Sequence, residues 1–357
     1  MITIAERSLP TVYADGLSLL LLLGLFALSF KSRTSRKRDL ETVLFCLFGA
    51  AVALNAVFSG LFYILRDQGL GWSPFLSRLL PTLDELSATF VLGVWVFYAE
   101  YRIYGSRQRL LRFRYILALP AVIVAAFTII NLFTGWMITV DENMLLHYTP
   151  LYFILEAVEY LYGLMPLVDE ILYTGRFGKL HFFSVIPVVV PVTVASLFTV
   201  VSDYSLSPLG FSVGVLLLFL SYASKWRFDD HESGLYNRHF LKFILELALA
   251  GKIEYKNVII FQTDHASKAF FDILKTELPR EGELIRTDKN TVMLFSGNST
   301  PSALSVFSSL VQDAADEYND NHPDENALDI IVSTRRRRKN ESTAEFVKRM
   351  YRAAAFA

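Results

Sequence analysis

Of the acids that lie inside apolar stretches of this 357-residue chain, where acids are out of place, four stand out. Glu156 and Glu159 are three residues apart, so a helix puts both carboxylates on one face. Asp84 and Glu85 fall one turn inside another apolar run, Leu80–Tyr104. A carboxylate at the centre of a bilayer costs about 3 kcal/mol or more, so acids kept there are paired, hydrated or turned towards a ligand path. Two readings follow. The four could line an outward-facing pocket for a cationic or hydrogen-bond-donating ligand, with Tyr152, Tyr160 and Tyr162 as donors or aromatic walls. Alternatively, Glu156 and Glu159 hydrogen-bond helix to helix while Asp84 and Glu85 sit at headgroup level. Glu100, Asp169 and Glu170 lie beside basic loops, where ion pairing is expected.

The elements that carry these acids follow from the hydropathy. Hydrophobic residues make up 53% of the chain and charged residues 19%, a balance rare in soluble globular proteins. The charge is unevenly spread. Met1–Ser224 holds 15 basic and 15 acidic residues, mostly clustered, whereas Lys225–Ala357 holds 19 and 20, evenly spaced. Seven runs are long enough for membrane helices: Val12–Phe30, Leu40–Leu65, Leu80–Tyr104, Phe113–Thr139, Tyr148–Tyr173, Leu180–Ser202 and Leu206–Ser224. The sixth carries Pro187 and Pro191, which a membrane helix tolerates when neighbours satisfy the freed carbonyl.

Basic residues set the expected orientation. Lys31, Arg33, Arg36, Lys37 and Arg38, then Arg102, Arg107, Arg109, Arg112 and Arg114, then Arg176, Lys179, Lys225 and Arg227 all fall on one side. Arg7, Arg66 and Arg78 face the other, with Asp141, Glu142 and Asp203. The positive-inside rule then places the N-terminus outside and the last third of the chain in the cytoplasm. The first run reads as a span rather than a cleaved leader, because the basic residues follow it. The seventh run has no lysine for a retinal Schiff base. No matching halves broken by Gly or Pro suggest an inverted-repeat transporter. Cys46, the single cysteine, excludes an intramolecular disulfide. No histidines stand at metal-ligand spacing, and His239 and His265 read as surface residues.

Beyond Trp226 the pattern shortens. Helices are expected over Tyr236–Ala250, His265–Leu278, Pro301–Tyr318 and Thr343–Ala354. Strands are expected over Asn257–Phe261, Glu283–Arg286, Thr291–Phe295 and Ala327–Thr334. The order α-β-α-β-β-α-β-α predicts an α+β domain with one sheet. The basic run Arg335–Lys339 either touches anionic lipid or forms a solvated turn balanced by Asp320, Asp324 and Glu325.

The stretch Asp230-His-Glu-Ser-Gly-Leu-Tyr-Asn-Arg238 resembles the opening of a GGDEF (diguanylate cyclase) domain. Arg286 before a hairpin, and the closing Val347-Lys-Arg-Met-Tyr-Arg-Ala-Ala354, are similar to the same family over Asp229–Ala357. The family's chemistry is missing. Asp288-Lys-Asn-Thr-Val292 stands where the Gly-Gly-Asp/Glu-Glu-Phe turn belongs, and Gln262 stands where the resemblance implies a metal-binding aspartate, leaving Asp264 of the pair. The guanine-binding segments are absent, and Pro279 and Gly282 fall where an inhibitory Arg-x-x-Asp would stand. An amide cannot replace a carboxylate at a two-magnesium phosphoryl-transfer site. The membrane half, with Ile129-Ile-Asn-Leu-Phe-Thr-Gly-Trp136, also looks like the seven-helix sensors that precede bacterial output domains.

The expected architecture is an all-α seven-helix transmembrane bundle (1–224), a short linker (225–232) and an α+β GGDEF-like cytoplasmic domain (233–357). The expected role is a receptor in a bacterial cell membrane, without enzyme activity, metal or cofactor, and without nucleic acid as a partner. Its partners would be the lipid bilayer, an extracellular or membrane-embedded ligand, and a cytoplasmic protein or a second copy. A transporter or channel-like membrane protein with a regulatory cytoplasmic domain, and a residual diguanylate cyclase, are the alternatives.

Overall fold

The computed structural model describes residues 8–32, 40–66, 74–105, 107–140, 146–177, 183–202, 205–225, 227–230, 232–276, 282–297, 301–323 and 327–353. Arg7, Arg33, Arg36, Lys37, Arg38, Asp141, Glu142, Lys179, Asp203, Pro279, Asp324 and Glu325 lie outside them. The chain divides into two compact units, Met1–Leu172 with Phe182–Tyr222, and Tyr173–His181 with Ala223–Ala357.

The first unit is built on helices α1 (Leu9–Ser32), α2 (Leu40–Arg66), α3 (Pro74–Tyr104), α4 (Arg107–Thr134), α5 (Pro150–Phe177), α6 (Ile186–Ser202) and α7 (Ser207–Lys225). Among the described residues, the first five are long and apolar enough to cross a membrane. The last two are apolar but shorter: the 17 residues of α6 and 19 of α7 rise about 26 and 28 Å, against a hydrocarbon core of about 30 Å. The unit is apolar outside, with Leu20, Leu23, Phe133, Leu161 and Leu197 all more than 60% exposed, while Asp15, Asn55 and Glu159 are buried. Inside, Phe48 lies against Trp95 (5.6 Å) and edge-on to Phe211 (6.4 Å). Helices α6 and α7 approach through Gly210, where a Cβ would come 2.8 Å from Ala195 Cβ and 2.9 Å from Pro191 O.

Several expected spans differ from what forms: α3 begins at Pro74 rather than Leu80, and α4 at Arg107 rather than Phe113. The fourth helix stops at Thr134 rather than Thr139, because Gly135 takes φ +67°. The chain then forms a hairpin of β1 (Ile138–Val140) and β2 (Leu146–Tyr148). Buried Asn131 fixes that exit: its Oδ1 accepts from the amides of Met137 (2.6 Å) and Ile138 (3.1 Å). The sixth helix begins at Ile186 rather than Leu180. Pro187 thus falls in its first turn, where a missing N–H costs no helix bond.

The second unit holds α8 (Arg238–Leu249), β3 (Asn257–Gln262), α9 (Lys268–Thr276), β4 (Gly282–Asp288), β5 (Thr291–Ser296), α10 (Pro301–Asn321), β6 (Ile331–Arg336) and α11 (Thr343–Ala353). The sheet is antiparallel, in the order β4-β5-β3-β6. Alternation along β3 sends Ile259 and Phe261 into a core with Phe270, Leu274, Val292, Leu294 and Val311. Helix α8 packs against α11 and β4. It starts at Arg238, two residues later than expected, because Asn237 caps it by accepting from His239 N (2.9 Å) and Tyr236 bridges to Asp229 and Ile285. The last strand starts at Ile331, not Ala327.

Candidate functional site

Helix α3 brings Glu85, and α5 brings Glu156 and Glu159, to one place: each offers a carboxylate oxygen, and these lie within 4.8 Å of one another. Glu159 is only 8% exposed, and its Oε1 accepts from Thr89 Oγ1 at 2.5 Å. The Thr89 hydroxyl also lies 3.0 Å from the carbonyl of Glu85. The Tyr152 hydroxyl is within hydrogen-bonding reach of Glu85 and Glu156. Three like charges this close repel strongly in a low dielectric, so a proton or a cationic group must offset them.

Glu156 and Glu159 also line a cleft of about 660 Å³, measured out to its open mouth, whose other walls come from α3, α6 and α7. Leu92, Trp95, Val188, Val192 and Phe211 make it apolar, and Tyr160, Thr193, Ser196 and Ser207 add hydroxyls. Trp95 Nε1 donates to the carbonyl of Gly163 (3.2 Å), and a Cβ at Gly163 would come 3.0 Å from Leu92. An apolar cleft with a few convergent polar groups is the usual form of a small-molecule site.

The four expected acids do not act as one group. Asp84 points away from the glutamates: its Oδ1 accepts from Asn55 Nδ2 on α2 at 3.2 Å. Helical spacing explains the split, because consecutive positions project about 100° apart. Tyr160 lines the cleft. Tyr162 instead donates to the carbonyl of Leu117 (2.7 Å), and the Tyr152 ring lies tilted against Tyr148 at 4.5 Å. At the other end of the helices, Glu100 pairs with Arg109 (2.6 Å). Glu170 accepts from the Val185 amide (2.8 Å), capping α6 rather than joining a basic loop. Two acids absent from the sequence reading matter: Glu41, which pairs with Arg102 at 2.5 Å, and Asp15, 2% exposed inside α1. For Asp15 the signal was there, an acid in the first apolar run.

In the second unit, Arg286 organises the Asp230–Arg238 loop. Its Nη1 donates to Asp230 Oδ2 (2.8 Å) and Glu232 Oε2 (2.7 Å), and the guanidinium lies 4.8 Å over Phe271. Gly234 takes φ +68° in that loop. Partial burial works to raise the Asp230 carboxyl, but hydrogen bonds from Ser233 and Arg286 outweigh it and hold it below its ordinary 3.8. At the hairpin tip Asn290 Nδ2 donates to the carbonyl of Asp264 (2.8 Å) and Asn290 O accepts from Thr263 N (3.1 Å). The tip is thus tied to the end of β3. In the basic run, Arg335, Arg336, Arg338 and Lys339 are exposed and a turn begins at Lys339, while partly buried Arg337 pairs with Glu254 (2.7 Å) and donates to Thr343 Oγ1 (2.7 Å).

No family model matches the chain, and no curated protein matches it.

Proposed function

We propose that the chain is a membrane signal receptor. Seven helices, with the N-terminus outside, would bind a ligand carrying an amine or another hydrogen-bond-donating group. The cytoplasmic unit would be a degenerate GGDEF-like domain in a bacterial membrane, passing the signal on by contact with a protein partner or a second copy. The observation that carries this reading is the apolar cleft with Glu156 and Glu159 in its wall. Gln262 at the end of β3, and Asn290 tying the hairpin tip to Asp264, support the catalytic silence of the second unit. Neither supplies the acids that a two-magnesium site requires.

The test uses the full chain in lipid nanodiscs and a panel of mono- and diamines read by thermal shift. A responding amine should lose at least tenfold in apparent affinity on Glu156→Gln with Glu159→Gln, as expected when a charged partner loses its counter-charge. An unchanged response in that variant would refute the pocket. Uptake of the same amine by proteoliposomes would favour a transporter with a regulatory domain. Cyclic dinucleotide made from GTP and Mg²⁺, above an inactivated control, would overturn the enzymatic silence.

A further inference from the structure

Asp15 lies in a second polar cluster, built from α1, α2 and α3 and separate from the cleft residues. It is 2% exposed, Asn55 2%, and Thr11 and Ser59 0%. Neither carboxylate oxygen of Asp15 completes a hydrogen bond, nor do Thr11 Oγ1, Ser59 Oγ or Asn55 Oδ1. Buried polar atoms are almost always satisfied, and orphans call for a water, an ion or a function. Five such oxygens on four side chains is a concentration that packing alone does not explain.

The orphans lie on two adjoining helices, α1 and α2. Thr11 and Asp15 are one turn apart on α1, and Asn55 and Ser59 one turn apart on α2, so each pair shares a face. Asp84 neighbours Asp15, and the Ser59 hydroxyl stands within hydrogen-bonding reach of the Asp15 carboxylate without completing a well-formed bond to it. Asn55 spends its amide hydrogens on Asp84 Oδ1 (3.2 Å) and Ser87 Oγ (2.9 Å), which leaves its carbonyl oxygen over. Gly60 presents no side chain to the carboxylate; a Cβ there would sit 3.6 Å from Asp15 Oδ2.

We propose that Asp15, Thr11, Ser59 and Asn55 form a binding site for a hard monovalent cation of the sodium class. All the donors are oxygens, which suits hard cations and excludes metals that select nitrogen or sulfur. Among the four donor residues, one carboxylate with three neutral oxygens balances a single positive charge, the neighbouring Asp84 carboxylate being held by Asn55 Nδ2 (3.2 Å) instead. A divalent ion would need more carboxylates and costs more to dehydrate. A proton would engage one or two of these oxygens, whereas a cation engages all of them at once.

The test is thermal unfolding of the full chain in nanodiscs, with sodium chloride against N-methyl-glucamine chloride at equal ionic strength. Sodium at about ten times its dissociation constant should raise the midpoint by about 3 °C. Asp15→Asn should abolish the shift. Ser59→Ala, and Gly60→Ala, whose methyl fits without a clash but fills the space beside the carboxylate, should each weaken sodium binding several-fold. These two variants keep the test decisive if Asp15→Asn fails to fold. The double change Glu156→Gln with Glu159→Gln should leave the sodium shift intact, which separates this site from the cleft. No sodium-specific shift in the unaltered protein, or a shift that survives Asp15→Asn or vanishes with the glutamate pair, would overturn the proposal.

Discussion

Replacing Arg286 with Ala removes the group that ties the Asp230–Arg238 loop to the β4–β5 hairpin. The Arg286 side chain is 10% exposed and Asp230 26%, so their charge-assisted bond is worth about 1.5–2 kcal/mol. Glu232 is 77% exposed, and its pairing adds about 0.5 kcal/mol after solvent screening. The guanidinium over Phe271 at 4.8 Å adds about 0.5–1 kcal/mol. Water largely replaces the bonds from Arg286 to the carbonyls of Asp288 and Lys289. The sum is about 3 kcal/mol, or roughly 150-fold in the equilibrium for local opening. Hydrogen exchange reads this directly: the Arg286 amide donates to Tyr236 O (2.7 Å) and the Tyr236 amide to Leu284 O (3.2 Å). Both should exchange about 100-fold faster in Arg286→Ala, with Phe261 in β3 much less affected. Rates at both amides within threefold of the unaltered chain would refute the assignment.

Acid should act on the same loop. Because the folded Asp230 value lies below its ordinary 3.8, its contribution is present above the unfolded value and lost as pH falls through the folded one. Protection of the Tyr236 amide should therefore drop below about pH 4, and less so in Arg286→Ala; a pH-independent protection would contradict the pairing. Asn131→Ala leaves the Met137 and Ile138 amides without their acceptor and should destabilise the β1–β2 exit by about 2 kcal/mol, seen as earlier proteolysis near Gly135. Gly210→Val places a branched side chain where a single Cβ already meets Ala195 at 2.8 Å. It should lower the midpoint of unfolding by several degrees, as overpacking of about 1–3 kcal/mol requires.

The elements were legible where a long-range signal was unnecessary. Apolar length marks the helix runs, and the short apolar runs after Trp226 mark all four strands of the second sheet. The β1–β2 hairpin was hidden, because three-residue strands carry no period and the deciding feature is the positive φ of Gly135. Glu156 and Glu159 were legible as a pair through their spacing. Their meeting with Glu85 was not, since it depends on how α3 stands against α5. Nor was the Asp230–Arg286 pair as geometry: 56 residues separate its partners. Asp15 and Glu41 show a different gap. Both were visible as acids, but Asp15 gains meaning only when α2 sets Asn55 and Ser59 beside it.

Neighbouring positions on α3 join the two polar clusters of the first unit. Asp84 belongs with Asn55 and Asp15, and Glu85 with Glu156 and Glu159. A small rotation of α3 about its axis moves both carboxylates together, so it cannot change the surroundings of one and spare the other. If a cation fills the Asp15 cluster and an amine the glutamate cleft, each occupant favours one setting of α3. Linkage then requires the effect to be reciprocal: sodium changes the apparent affinity for the amine by the same factor as the amine changes that for sodium, commonly about 5–150-fold. Titrating each in the presence and absence of the other gives two independent values of that factor. Asp84→Asn, which keeps the shape and weakens the tie to Asn55, should reduce both equally. Factors of one in both titrations would show that α3 holds two sites without coupling them, and the signal would then have to leave the cleft through α5, α6 or α7.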